Sequence, residues 1–210
     1  MTGRGARRIA LVAGATALVL ALGVGVGSAI GSDGGSDAAA APSTVDIGFS
    51  QDMIVHHEQA VLMAQLVRNR TKDPKVAALA AGIEADQLLD IGALRGYLAL
   101  WGASVLPSGP PMTWMATEHG HHGDAAKGMP GMATTAQLDA LRRATGDKMD
   151  AMFLRLMWRH HEGGQGMTAD AGARAAVPAV QGLASRMAYH QREETQTLVA
   201  LLRARGLALA

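Results

Sequence analysis

Sliding the sequence against itself by 104 residues superimposes 49–102 on 153–206 without a gap, and fifteen of the 54 paired positions are identical. The pairs include Phe49/Phe153, Met53/Met157, His56/His160, His57/His161, Glu58/Glu162, Met63/Met167, Pro74/Pro178, Gln87/Gln191, Leu94/Leu198 and Gly102/Gly206. An ungapped internal match of this length marks a duplication. Any fold for this chain must therefore bury the same unit twice, with its paired histidines.

Each unit reads as two helices. The first runs from about Asp46 to Arg70, and Asp73-Pro74 then opens a second in the favoured cap-then-proline order, stopping near Trp101 before Gly102. The second unit repeats this from about Asp147 to Ala173 and from about Pro178 to Arg205, with a short helix near Gln137 to Ala144 ahead of it. At about 100° per residue, Phe49, Met53, His56, His57, Ala60, Ala64 and Val67 share one stripe. Ala80, Ile83, Gln87, Ile91, Leu94 and Leu98 share another. Two such hairpins hide four stripes as an all-α four-helix bundle with pseudo-twofold symmetry, hairpins about 46–102 and 147–206, and a long crossover over 103–134. That symmetry is expected to bring His57 and His161 toward one another inside the bundle.

The first 45 residues lie outside this unit. Arg4, Arg7 and Arg8 precede an uncharged apolar run from Ile9 to Ile30. Residues 1–30 are thus either a secretory signal or a retained membrane anchor, since about 20 apolar residues span a bilayer. In both cases the basic flank stays in the cytoplasm, and the rest of the chain is extracytoplasmic. Residues 31–45 are small and polar and read as a flexible linker to a domain over 46–210. The chain has no cysteine, which excludes disulfides and thiolate metal sites, so any soft metal ligand must be methionine. Its net charge of +1, without basic runs carrying interleaved aromatics, gives no case for nucleic acid. The membrane enters only through the possible N-terminal anchor, and the sequence does not set an oligomeric state.

Over roughly 46–206 the chain resembles the secreted bacterial proteins of the domain of unknown function 305 family. The resemblance rests on a His-His-x-x-Ala-x-x-Met pattern, here His56, His57, Ala60 and Met63, echoed by His160, His161, Gly164 and Met167. It implies a ferritin-like four-helix fold outside the cytoplasm and, for some relatives, copper binding. Gly164 departs from the usual Ala, and Gly163-Gly164-Gln165-Gly166 is poor helix material, so an irregularity is expected after His161.

Two groups of side chains can carry chemistry. In the core, Met53 with His56 and His57, and Met157 with His160 and His161, each place a thioether and two imidazoles on one patch of helix. Soft thioether with imidazole suits copper, particularly Cu(I), whereas Mg and Ca prefer carboxylates. The competing reading is a packing device, with methionines filling gaps and histidines hydrogen-bonded across the bundle. Gln87 and Gln191 fit both readings, as acceptors that fix an imidazole in a metal's outer shell or as buried polar groups satisfied by histidine. Glu58 and Glu162 lie beyond the stripe and are expected to be solvated or interhelical. The crossover is the second group, with Met112, Met115, Met129, Met132, His119, His121 and His122 spaced by glycine and proline, a composition able to wrap a copper ion.

Enzymatic patterns are not completed. A di-iron bundle needs Glu-x-x-His on two helices, where this chain has Glu84-Ala85-Asp86-Gln87 and Ala188-Tyr189-His190-Gln191. The zinc-protease pattern lacks its second histidine, with Val61 and Gln165 at that position. The sequence therefore favours an extracytoplasmic protein that sequesters or delivers copper through Met and His without turnover. A metal-free structural or interaction bundle is the alternative, and a metal-dependent oxidase a more distant one.

Overall fold

The computed structural model describes residues 40–115 and 128–209. The segments expected to be an N-terminal signal or anchor and most of a linker lie outside the described residues, as do His119, His121 and His122. Among the described residues every element is helical: α1 (Thr44–Arg68), α2 (Pro74–Leu100), α3 (Thr135–Arg143), α4 (Gly146–Arg174) and α5 (Pro178–Ala204). None of these helices is long and apolar enough to cross a membrane.

Local sequence accounts for the helix starts. The end of the expected linker is in fact the start of α1, because Ser43 and Asp46 form a reciprocal capping box. Asp73 accepts from the Lys75 N–H ahead of Pro74 at the first turn of α2. Thr134 and Gln137 build the same box for α3. Gly102 and Gly206 take positive φ (62° and 66°) just past α2 and α5, where residues with a Cβ are disfavoured.

α1 packs on α2 and α4 on α5 as two hairpins, and the hairpins meet through α1 against α4 and α2 against α5. The expected stripes face inward, with Phe49, Met53, Ala60, Ala64 and Val67 of α1 and Ala80, Ile83, Leu94 and Leu98 of α2 fully buried. The core has two apolar halves. One joins Phe49 and Met53 of α1 to Leu94 and Leu98 of α2, Met167 and Ala171 of α4, and Leu183 and Met187 of α5. The other joins Met63 and Val67 to Val76 and Ile83, Phe153 and Met157, and Leu198 and Leu202. The N-terminal half of α1 thus lies beside the C-terminal half of α4, and the two duplicated helices run antiparallel.

Buried carboxylates tie the ends together in a way that repeats across the duplication. Asp46 of α1 accepts from the Ala176 and Val177 N–H groups of the α4–α5 turn at 2.9 and 3.0 Å. Its counterpart Asp150 of α4 accepts from the Thr71 hydroxyl of the α1–α2 turn at 2.9 Å. Asp52 holds the start of the crossover, accepting from the Met112 N–H at 2.7 Å and from Trp114 Nε1–H at 2.8 Å. Trp114 lies over Gly48, where a Cβ would come within 2.5 Å of the indole, and meets Phe49 edge-on at 5.7 Å. Asp52→Ala leaves both donors unpaired and is expected to cost about 1–3 kcal/mol in a denaturant melt. A red-shifted tryptophan emission should accompany it as Trp114 lifts from Gly48.

Candidate metal centre

Between the two apolar halves sits a polar layer. His56 and His57 of α1 and His160 and His161 of α4 are all at most 1% exposed, as the stripe analysis expects. The rings that meet across the pseudo-twofold are His56 and His160, centroids 3.8 Å apart and tilted by 36°, one position earlier than the expected His57 and His161. His57 and His161 turn instead toward the second helix of their own hairpin.

Each ring is held through Nε2. His56 Nε2–H donates to the Pro130 carbonyl at 3.2 Å, and His160 Nε2–H donates to the His56 carbonyl at 3.0 Å. His57 Nε2 lies 3.4 Å from Asp90 Oδ2, and His161 Nε2 lies 2.7 Å from Glu194 Oε2. A carbonyl only accepts, so the protons of His56 and His160 are on Nε2 and their Nδ1 atoms carry lone pairs. Burial pushes the His56 pKa down from 6.5 to about 3, helped by the neighbouring His57 and opposed by the Pro130 bond. Burial, and then His56, hold His160 well below its ordinary value. Both rings are neutral at ordinary pH.

All four Nδ1 atoms are buried and have no partner among the described residues. Neither glutamine supplies one. Gln87 is 2% exposed with both amide atoms unpartnered, and Gln191 Oε1 is unpartnered as well. The expected glutamine-to-imidazole hydrogen bonds are therefore not formed, and Asp90 and Glu194 take that place for His57 and His161. Those two acids occupy matched repeat positions but differ in identity, so an identity-based comparison of the halves passes over them.

The thioethers flank the histidines on both sides. Met53 and Met167 are fully buried in one apolar half, and Met63 and Met157 in the other. The antiparallel arrangement thus gives each side of the layer one methionine from each repeat. Met63 and Met167 belong to the His-His-x-x-x-x-x-Met spacing but were not expected in the site. Among the described residues, no three His, Asp or Glu side chains converge as a ready-made metal cage. The donors that fit a metal are four unpartnered imidazole nitrogens with neutral thioethers, the set that suits a soft ion.

The crossover divides. Met112, Met115 and Met129 pack partly buried on the half of the core that holds Met53 and Met167. Met112 adopts a left-handed φ of 68°, pinned by its N–H to Asp52. Met132 is partly buried outside that cluster. The returning segment lies flat on α4 because two glycines cross there. A Cβ on Gly163 would stand 2.3 Å from the Pro130 carbonyl oxygen, and one on Gly131 would stand 2.5 Å from the Arg159 carbonyl oxygen. Gln59 completes the clamp, donating to the Ala133 carbonyl at 3.0 Å and accepting its N–H at 2.6 Å. The expected irregularity after His161 is absent, and α4 continues through Gly163, Gly164 and Gly166. Gly164 leaves room for Gln191 Oε1 and His56 Cε1, at 3.0 and 3.2 Å from where its Cβ would be. Glu58 lies at the surface against Arg95 at 2.5 Å, and Glu162 accepts from Gln165 at 3.0 Å.

Comparison with solved structures places this bundle among helical relatives. A candidate secreted protein of DUF305 type from Streptomyces coelicolor is 39% identical with a TM-score of 0.70, covering 78% of this chain and 94% of its own. A DUF305 fragment from Deinococcus radiodurans is 30% identical with a TM-score of 0.63, covering 78% and 98%. CopM in its Cu(I)-bound form is 21% identical with a TM-score of 0.59, covering 76% and 96%. Its Cu(II)-bound form is 23% identical. At that identity the likeness to CopM is one of fold. No functionally curated protein matches the chain in sequence. The family described as Domain of unknown function (DUF305) matches residues 46–202, a span that takes in both hairpins and the crossover, and the chain belongs to that family.

Proposed function

We propose that this protein is an extracytoplasmic copper-binding bundle that sequesters or hands on the ion through buried histidine and methionine, without turnover. The observation that carries the reading is the set of four buried Nδ1 atoms with no partner among the described residues, between two pairs of buried methionines. Leaving such an acceptor unpaired costs about 1–3 kcal/mol, a burden that a purely structural core sheds by substitution. The likeness to copper-bound CopM supports the choice of ion. Met112, Met115 and Met129, seated on the Met53 and Met167 side, extend the thioether set toward the surface. His119, His121, His122 and Met132 belong to the same proposal through their spacing. The basic residues and apolar run over 1–30, as signal or anchor, support export, as does the candidate secreted relative.

One feature favours the rival packing reading. His56 Nε2 fastens the crossover through Pro130, a structural task that needs no metal. Substituting His57→Gln and His161→Gln together separates the two, because the glutamine amide still donates to Asp90 and Glu194 while the Nδ1 lone pair is lost. Competition with a chromophoric Cu(I) chelator is expected to show uptake by the wild type. The double variant should bind at least tenfold more weakly with an unchanged helical circular dichroism spectrum. No uptake by the wild type, or unchanged affinity with collapsed stability, would hand the histidine layer to packing.

A further inference from the structure

The two carboxylates beside the histidine layer have a role that the repeat identities do not reveal. Asp90 of α2 reaches His57 and Glu194 of α5 reaches His161, each from the second helix of the same hairpin and each 33 residues further along the chain. An ionised carboxylate has no proton to give, so a ring nitrogen bonded to it must carry the proton itself. The carboxylates stay hydrated, since their side chains are 23% and 13% exposed while the rings they touch are at most 1% exposed. Asp90 lines a cleft of about 240 Å³ between α2 and α5, together with Asp86, Met187 and His190. The same placement in both halves, on side chains of different length, argues for selection of an acceptor oxygen at the ring rather than of a residue shape.

We infer that Asp90 and Glu194 are positioning residues that lock His57 and His161 in the Nε2–H tautomer and so keep the Nδ1 atom of each as a bare acceptor available to copper. The final clause rests on the copper reading above, whereas the tautomer lock does not. With Pro130 and His56 carbonyls setting the same tautomer in His56 and His160, all four buried Nδ1 atoms are then acceptors and none is a donor. A single Nδ1–H tautomer would leave one site for metal unusable. Outer-shell partners of this kind commonly change metal affinity by about 10–100-fold when removed.

The test uses the full-length chain labelled with ¹⁵N, free of metal, and reads imidazole tautomers from long-range ¹H–¹⁵N correlations. In the wild type, His57 and His161 are expected to show protonated Nε2 and bare Nδ1. Asp90→Ala with Glu194→Ala should mix the tautomers and lower Cu(I) affinity by about 10–100-fold. Asp90→Asn with Glu194→Gln keeps an acceptor oxygen and should restore the tautomer and most of the affinity. Glu194→Ala alone should weaken binding more than Asp90→Ala, following the shorter contact of 2.7 against 3.4 Å. If the alanine pair fails to fold, this comparison of single variants decides. Protonated Nδ1 in the wild type, or alanine variants that keep both tautomer and affinity, would overturn the assignment. Bare Nδ1 in a wild type that takes up no copper would sink the copper reading and leave the tautomer lock standing.

Discussion

Acidifying the metal-free protein from pH 6.5 toward 3 is expected to weaken the fold by roughly 1.4 kcal/mol per pH unit for each histidine held neutral in the core. Burial lowers the folded pKa of His56 to about 3 and pushes His160 in the same direction. Across that window the unfolded chain takes up protons that the folded chain refuses, so stability rises with pH and is lost as pH falls below 6.5. Asp46 acts in the same direction at lower pH. Burial raises its pKa, but the Ser43 hydroxyl and the N–H groups of Ser43, Ala176 and Val177 outweigh burial and bring it below 3.8. Its contribution is present above the unfolded carboxyl value and disappears as pH falls through the folded one. Asp52, raised mainly by burial and only partly relieved by Met112 and Trp114, has the opposite sign and recovers some stability as it protonates. Urea midpoints measured between pH 7 and 4 should therefore fall before the carboxyl range is reached. In a His56→Gln, His160→Gln variant the early fall should vanish, and a wild-type midpoint flat from pH 6.5 to 5 would contradict neutral core histidines.

Gly163→Ala separates helix propensity from tertiary contact by sign. In a helix interior, alanine is favoured over glycine by about 1 kcal/mol. Here the added Cβ would sit 2.3 Å from the Pro130 carbonyl oxygen and 2.5 Å from the Gly131 nitrogen, both backbone atoms that cannot swing aside. The crossover must lift, and the His56–Pro130 and Gln59–Ala133 hydrogen bonds go with it. The expected net result is a loss of about 1–3 kcal/mol, the usual cost of overpacking. Amide hydrogen exchange at Ala133 should rise with it. A Gly163→Ala protein more stable than the wild type would show that the crossing leaves more room than these contacts imply.

These glycines also mark where the sequence stopped being readable. Periodicity placed the inward stripe of α2 from Ala80 to Leu98, and Asp73-Pro74, Gly102 and Gly206 placed helix ends, because these signals act within a few residues. The duplication supplied the hairpins for the same reason, since each half repeats its own local pattern. Gly163 and Gly164 carry the opposite message to their propensity, because the need for them is set by Pro130, Gly131 and Gln191, remote in sequence. The pairing of His56 with His160 depends on the rotation of α1 about its axis to within one residue, finer than a stripe resolves. Asp90 and Glu194 share a repeat position but not an identity, and only the folded hairpin shows that they reach the rings.

The polar layer also acts as an alignment mark along the bundle axis. Two antiparallel helices with continuous apolar stripes can slide past each other by one turn, about 5.4 Å, and still bury hydrocarbon on hydrocarbon. Here a one-turn slip of α1 against α4 would carry His56 away from His160 and set imidazoles against the level of Met53, Ala60 and Met157, with the carbonyl partners of His56 and His160 left behind. Each unpaired buried polar group adds about 1–3 kcal/mol to the slipped state. The histidines thus cost the native alignment something and every neighbouring alignment much more, which makes the register of the two hairpins unique.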